Sequence, residues 1–558
     1  MADISRLSDA HAILLACELC ADGNVVALPR LQRQFPTSLT PERLYRIILT
    51  FLPESIPPQQ YTSTLQSLSD EAISDSDSHD VSLSSVKDLA DTVARRRVRR
   101  LRLLPLQYPY AEEWTATTDP LTQFIIHRAH RIDAESGLQM QILDLLLPFY
   151  GRSDVLRTWL ICRLLPLLRS NYEYYPSREE SLSLHMLESL DRATAINILL
   201  SMTNSETAQS DLSRNLRGLV GPWMSGEARN KRRKLNHSTD AVKSTMQVEV
   251  HADENETLSW QEVNEWLLSR SLVDHSAVVE AVVHWDGPED IDLGGYEREE
   301  DHNDEDKSLL KKLYGQTGLA VVYAADPTRS SLEGSFQITS KVAELLHTDP
   351  GHDLQFGRLS PPAVNLGLET ISKASKASLL QNNLLAPSNP LTVPTSQSIA
   401  FLQAVLVSLR ILQEIGYQTS CRAASIICLQ SSDDAQSREL RGVVNAIANQ
   451  PNPGRDWSRI REQILWLRDW QGTSPYSPTD SKRDYHGLFW RMSREMVETD
   501  ILKAMLDVRG QCFLVVNSSQ ALTVDRISTC REHLYRRRLS SRFCAGGSGC
   551  RGDHCRIL

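Results

Sequence analysis

The chain has 558 residues, enough for two to four ordinary domains or one long array of repeats. Its residues are 41% hydrophobic, and 60 Lys and Arg against 70 Asp and Glu leave a net charge of −10. That balance argues against general nucleic-acid binding, and a 6% aromatic share with abundant leucine leans towards helix.

The first predicted helix, "SDAHAILLACELCADGN", starts at a Ser8/Asp9 cap and ends at Gly23. No basic run precedes its apolar stretch, which makes a poor signal peptide. "VVALPRLQRQF" comes next. In the helix after it Thr40 caps and Pro41 takes the first position, where a missing N–H is harmless. Leu44, Ile47, Ile48 and Phe51 then form one stripe, and Pro53 stops the run.

"SLSDEAISDSDSHD" (residues 67–80) reads as a solvated loop. "DPLTQFIIHRAHRIDAESG", "LQMQILDLLLPFYG", "SDVLRTWLICRLLPLLRSNYEYYP" and "REESLSLHMLESLDRATAINILLSM" continue the helical pattern to Met202. Asp119 and Ser153 are placed as caps, Gly137 and Gly151 as stops.

The expected organisation is therefore a helical-repeat region over 1–202 and a polar, basic linker over 203–256. A second helical region covers 257–510, with an acidic loop at 286–307, and a tail covers 511–558. The second region opens with "LSWQEVNEWLLSRSLVDHSAVVEAVVHW" and continues through "SFQITSKVAELL", "SQSIAFLQAVLVSLRILQEIGY", "QSRELRGVVNAIAN", "DWSRIREQILWLRDW" and "LFWRMSREMVETDILKAMLD". "GLAVVYAAD" is the best strand candidate and reads equally well as a short helix. Helix pairs without a repeated signature predict an all-α, irregular α-solenoid of antiparallel pairs with long polar loops.

No stretch approaches the roughly 18 to 20 apolar residues of a membrane span. The nearest, "AVLVSLRILQEIG", is broken by Arg410 and Glu414. The expectation is a soluble cytosolic chain whose membrane association is peripheral.

Few motifs carry chemistry. Cys17 and Cys20 form "CELC", but no second CxxC pair or βαβ unit accompanies them, so they read as core. Ten cysteines are too sparse for a disulfide framework and should be reduced. "ARRRVRRLRLL" (94–104) could face anionic lipid or nucleic acid and reads as a solvated helical face. "KRRKLN" (Lys231 to Asn236) has the form of a nuclear import signal in an exposed linker. The tail holds Cys512, Cys530, Cys544, Cys550, His554 and Cys555 without a familiar zinc spacing. It ends in "CRIL", a C-a-a-X frame with Leu558 in place but Arg556 a poor aliphatic substitute. There is no GxxxxGK[ST] loop, HExxH, GxSxG elbow or dinucleotide fingerprint. No catalytic, cofactor-binding or metal residues are assigned, and no cofactor is expected.

"AHAILLACELCADGNVVALPRL" followed by "TPERLYRIILTFLPESIPPQQY" resembles the opening of the fungal secretory-pathway family often called Sec thirty-nine. Its animal relative is the neuroblastoma-amplified sequence protein. "DPLTQFIIHRAHRIDAESGLQMQILDLLLPF", "NLRGLVGPWM" and "SWQEVNEWLLSRSLVDHSAVVEAVVHWDGP" are similar to later blocks in the same order, over about residues 5 to 510.

The resemblance implies a non-enzymatic α-solenoid subunit of the Dsl tethering complex. That complex works at the cytosolic face of the endoplasmic reticulum, in Golgi-to-ER retrograde transport. Its implied partners are other tether subunits and ER SNAREs, and indirectly coatomer-coated vesicles. Nucleic acid is not among them, and membrane association would run through proteins. The rival reading, prompted by KRRK, is a nuclear helical-repeat scaffold.

After "VETDILKAMLDVRG" helical patterning stops. Free codon choice makes the tail consistent with a retained intron. Gly510-Gln511-Cys512 can encode a 5′ splice site, Ala521-Leu522-Thr523 a branch sequence and Asp525-Arg526 a closing AG. The segment's length is not a multiple of three, so every residue after it would be read out of frame. Restoring the frame permits strings with helix-like apolar spacing that resemble the family's continuation. The cysteine cluster, the RGD at 551–553 and CRIL would then be accidents, the tail disordered and partner sites beyond 510 missing.

Overall fold

The computed structural model describes residues 7–69, 86, 88–111, 114, 119–203, 208–225, 251–296, 304–347, 373–430, 432–449, 456–470 and 487–507. Among the described residues every regular element is helical and there is no strand, so the fold is all-α, with the stacking of an irregular solenoid. Two compact units divide the chain: 1–266 with 284–310, and 267–283 with 311–558.

The first unit opens with α1 (Asp9–Ala21), α2 (Leu28–Gln34), α3 (Pro41–Phe51), α4 (Thr62–Ser69) and α5 (Asp91–Arg100). Helix α1 packs against both α3 and α5. This is why Ala12, Leu15, Ala16 and Cys20 are buried all round it. Cys17 and Cys20 belong to that core, where burial pushes the Cys17 thiol up to about 12 and the Cys20 thiol higher still. Neither is a thiolate at neutral pH. Thr40 caps α3 by accepting from Arg43 N, and Leu44, Ile47 and Ile48 face inward as their spacing requires.

Helix α6 (Pro120–Arg131) is capped by Asp119, which accepts from Thr122 N at 2.9 Å, and packs on α3. It runs into a π-helical turn, Ile132–Ser136, stopped by Gly137 at φ +66, a conformation that favours glycine. Then come α7 (Gln139–Leu146), the long helix α8 over 154–174, α9 (Leu184–Ser189) and α10 (Arg192–Ser201). Two further π-helical turns, Leu160–Leu164 and Arg169–Tyr174, lie within α8.

The stretch read as a linker is partly core. Residues 208–225 form α11, with a π-helical turn at Leu216–Val220 and with Leu212, Leu216, Leu219, Trp223 and Met224 buried. Residues 251–256 already belong to α12 (His251–Ser271). The extra residue of a π turn shifts the apolar stripe off the 3.6-residue period, which hides the helix from a periodicity reading. The basic run 231–236 and the loop residues 70–80 lie outside the described residues, as does everything from 508 onward, the tail included.

In the second unit, α13 (His275–His284) contributes through Val283, α14 (Asp304–Ala324) from Lys311, and α15 (Arg329–Leu345) lies wholly inside. "GLAVVYA" of that strand candidate ends α14, where Leu319 to Tyr323 are all buried; a stretch apolar all round carries no amphipathic signature. Helix α16 (Ser396–Glu414) packs on α15 and on α17 (Cys421–Cys428). By length and composition α16 would suffice to cross a membrane, contrary to the expectation that none would. Yet 72% of its apolar window is buried inside the protein, which makes it a core helix. Helices α18 (Asp433–Ala448), α19 (Trp457–Asp469) and α20 (Arg494–Asp507) complete the unit, α20 packing on both others.

Candidate functional site

Charged side chains inside the first unit are the natural place to look for chemistry. Arg128 on α6 is fully buried and donates to the carbonyls of Leu52 at 2.8 Å and Pro53 at 2.7 Å. Glu54 lies 3.2 Å from Arg128 and 2.6 Å from Arg131, and the Arg128 guanidinium sits over the Tyr61 ring. The Arg128 contacts hold the end of α3 against α6, while Arg128 Nε and the Tyr61 hydroxyl are buried without a hydrogen-bond partner.

Two residues along α6, the buried pair His130 and Glu188 lies 2.9 Å apart. Glu188 also accepts from Trp159 Nε1 at 2.7 Å, and Tyr108 stacks on the His130 ring at 4.2 Å. His127, near the same tyrosine, has its Nδ1 3.2 Å from the Leu106 carbonyl, and burial holds its basicity below the usual histidine value. The cluster has acid and base, but both side chains are buried.

Arg163 lies between the rings of Trp114 and Trp223, at 5.5 and 5.2 Å. Arg169 reaches across 123 residues to the Asp292 carbonyl at 2.6 Å and pairs with its carboxylate at 2.6 Å. Arg217 grips Asp290 with two nitrogens and also donates to the His284 carbonyl. Burial acts to raise Asp292, but the Arg169 hydrogen bond helps hold its carboxyl below the usual range. Of the acidic loop expected over 286–307, residues 286–296 are thus pinned, and 304–307 already belong to helix Asp304–Ala324. Gly218 must lack a side chain, because a Cβ there would run into the Tyr174 hydroxyl.

Ser8, His11 and Asp91 have the residue types of a hydrolytic triad, wired differently. Ser8 Oγ donates to Asp91 at 2.6 Å and lies 2.7 Å from His11 Nδ1, while His11 Nε2 is 2.9 Å from the Leu89 carbonyl. A triad needs the carboxylate behind the imidazole and the serine proton directed at it. Here the carboxylate lies against the serine and not behind the imidazole, and the group ties the start of α1 to the start of α5.

Among the described residues no group of three or more His, Cys, Asp or Glu could hold a metal ion. The clamps made by Arg128, Arg169 and Arg217 were not legible in the sequence. Their only local signal is an arginine inside an otherwise apolar helical stretch. The outer face of α5 is open to solvent and strongly basic: Arg95, Arg96, Arg97, Arg99 and Arg100 are exposed, with Arg102 just beyond.

Packed helices, with buried charged side chains tying one to another, define an all-α protein of the α-solenoid class. The family model for secretory pathway protein Sec39 matches residues 13–527, and the chain belongs to that family. The match includes 511–525, the residues that the splicing reading assigns to a retained insert. Comparison with curated proteins gives no match. A role in the secretory pathway and in protein transport follows from the family.

Proposed function

We propose that the chain is a non-enzymatic subunit of a vesicle-tethering complex at the endoplasmic reticulum, acting in Golgi-to-ER retrograde transport. Family membership over 13–527 carries this reading. The fold supports it: stacked helices present long exposed faces for partner helices and set the distance between them. In this reading the partners are other tether subunits and ER SNAREs, with coatomer-coated vesicles engaged indirectly. No cofactor takes part.

The chain would sit peripherally on the cytosolic face of the membrane, held by proteins. That α16 is buried in its unit supports peripheral attachment over a span through that helix. Imaging of the tagged chain combined with fractionation tests the reading. An ER-rim pattern, with release from membranes by high salt or carbonate, is expected. Retention after both washes, or a nuclear pattern through the KRRK run, would overturn it.

A further inference from the structure

We propose that the outer face of α5 is a docking surface for an acidic helix of a partner protein. The proposal stands on charge and geometry alone, so its failure would leave the trafficking reading intact.

At 100° per residue, Ala94 and Val98 mark the inward side of α5, and Ala94 is fully buried. Arg95, Arg99, Arg96, Arg100 and Arg97 then sweep over roughly 200° of the exposed side. Asp91 is the single acid on the helix, and it is already occupied by Arg95 at 2.8 Å and by Ser8. Arg96, Arg97, Arg99, Arg100 and Arg102 have no ion pair among the described residues.

Such a face is costly to keep. Arg95/Arg99 and Arg96/Arg100 are like-charge pairs at i, i+4, and Arg96/Arg99 and Arg97/Arg100 at i, i+3, each of them repulsive. The helix dipole favours the arginines of the last turn, but not Arg95 or Arg96. The surface is also held in place. Ser8 and His11 tie its start to α1. Beyond its end, Arg46 donates to the carbonyls of Leu103 at 3.1 Å and Leu104 at 3.0 Å. Fixed cations cost less ordering on binding than mobile ones.

Three occupants would suit a basic face, and the geometry favours one. A helix that lies in a lipid surface needs an apolar side to bury there, and the apolar side of α5 is already turned inward; Val93 is the one apolar residue on the exposed arc. Nucleic-acid binding would draw on a broad basic footprint, whereas this patch is one short helix on a chain of net charge −10. Arginine rows at i, i+4 match carboxylates at i, i+4 on a facing helix, and the planar guanidinium takes a carboxylate two-pronged.

The test uses the full chain and a helical peptide with glutamate at successive i, i+4 positions, read by fluorescence anisotropy at low salt. The wild type should bind, with affinity falling as salt rises. The triple variant Arg96→Gln, Arg99→Gln, Arg100→Gln should bind about tenfold more weakly, as loss of three exposed pairs implies. Its thermal stability should hold or rise, because the repulsion is gone; Arg33→Gln on α2 should bind like the wild type. Unchanged binding by the triple variant, or no binding by the wild type, would overturn the proposal. So would arginine-dependent preference for phosphatidylserine vesicles or polyuridylate over the peptide.

Discussion

In the first unit arginines go inside. Arg128, Arg157, Arg163 and Arg169 are all buried, along with Asp133 and Asp211. In the second unit the buried polar groups are mainly hydroxyls and amides, such as Ser408, Thr317, Thr392, Gln316 and Gln436. Among its described residues only Glu498 and Asp500, both on α20, are buried acids. The π-helical turns at 132–136, 160–164, 169–174 and 216–220 also all fall in the first unit.

The difference shows two ways to fix irregular helices. The first unit uses long charged arms that reach carbonyls and carboxylates far along the chain. The second relies mainly on apolar packing closed by short neutral hydrogen bonds, as where Trp470 Nε1 donates to Ser408 Oγ at 2.9 Å. Its buried charge, among the described residues, is confined to α20, where Glu498 meets Arg461 at 2.6 Å. Removing one member of a buried charge cluster strands its partners, whereas removing a neutral acceptor strands one donor.

The contrast is open to attack, starting with its largest expected effect. Arg128→Ala should cost about 3–5 kcal/mol, since it strands the Leu52 carbonyl and leaves Glu54 with Arg131 alone. Hydrogen exchange should then quicken in α3 and α6 while α16 keeps its protection. Equal loss in both units would show that the clamp is not local to the first.

Ser408→Ala should cost about 1–3 kcal/mol, from a single stranded indole N–H. Its exchange signature should be confined to α16 and the Trp470 turn. A cost equal to that of Arg128→Ala would erase the distinction between charged and neutral closure.

Acid gives the smallest effect and should touch both units. Burial is the main cause that lowers the folded-state pKa of His127 in the first and of His275 in the second. The unfolded chain therefore takes up each proton first. Stability stays whole above the ordinary histidine value near 6.5 and falls as pH drops below it. His127→Gln should remove the first unit's share and leave the second's, read by hydrogen exchange at pH 7.5 and 5.5. An unchanged pH response in α6 would show that His127 does not carry it.

Local signals were the legible part of the fold. Thr40, Asp119 and Ser153 cap their helices through bonds to residues three positions on, and Gly137 stops a helix through its own backbone angle. The core stripe of α3 was readable for the same reason. What depended on distant partners was not. The anchoring of 286–296 had no local signal because its clamps, Arg169 and Arg217, lie far away in sequence. Helix α11 was hidden by its π turn, and α16 looked too broken for a span because Arg410 and Glu414, paired at 3.3 Å, interrupt its apolar run. The triad-like group at Ser8 had no sequence signal, since Asp91 lies 83 residues from its serine.

The central claim is that the chain acts by holding other proteins at the ER membrane. Its most direct test is quantitative affinity purification of the tagged full-length chain from gently solubilised cells, with a tag-only control. The account predicts co-purification of ER SNAREs and tethering-complex subunits in near-stoichiometric amounts, unaffected by chelators. Purification with neither group, or with nuclear proteins in their place, would contradict it.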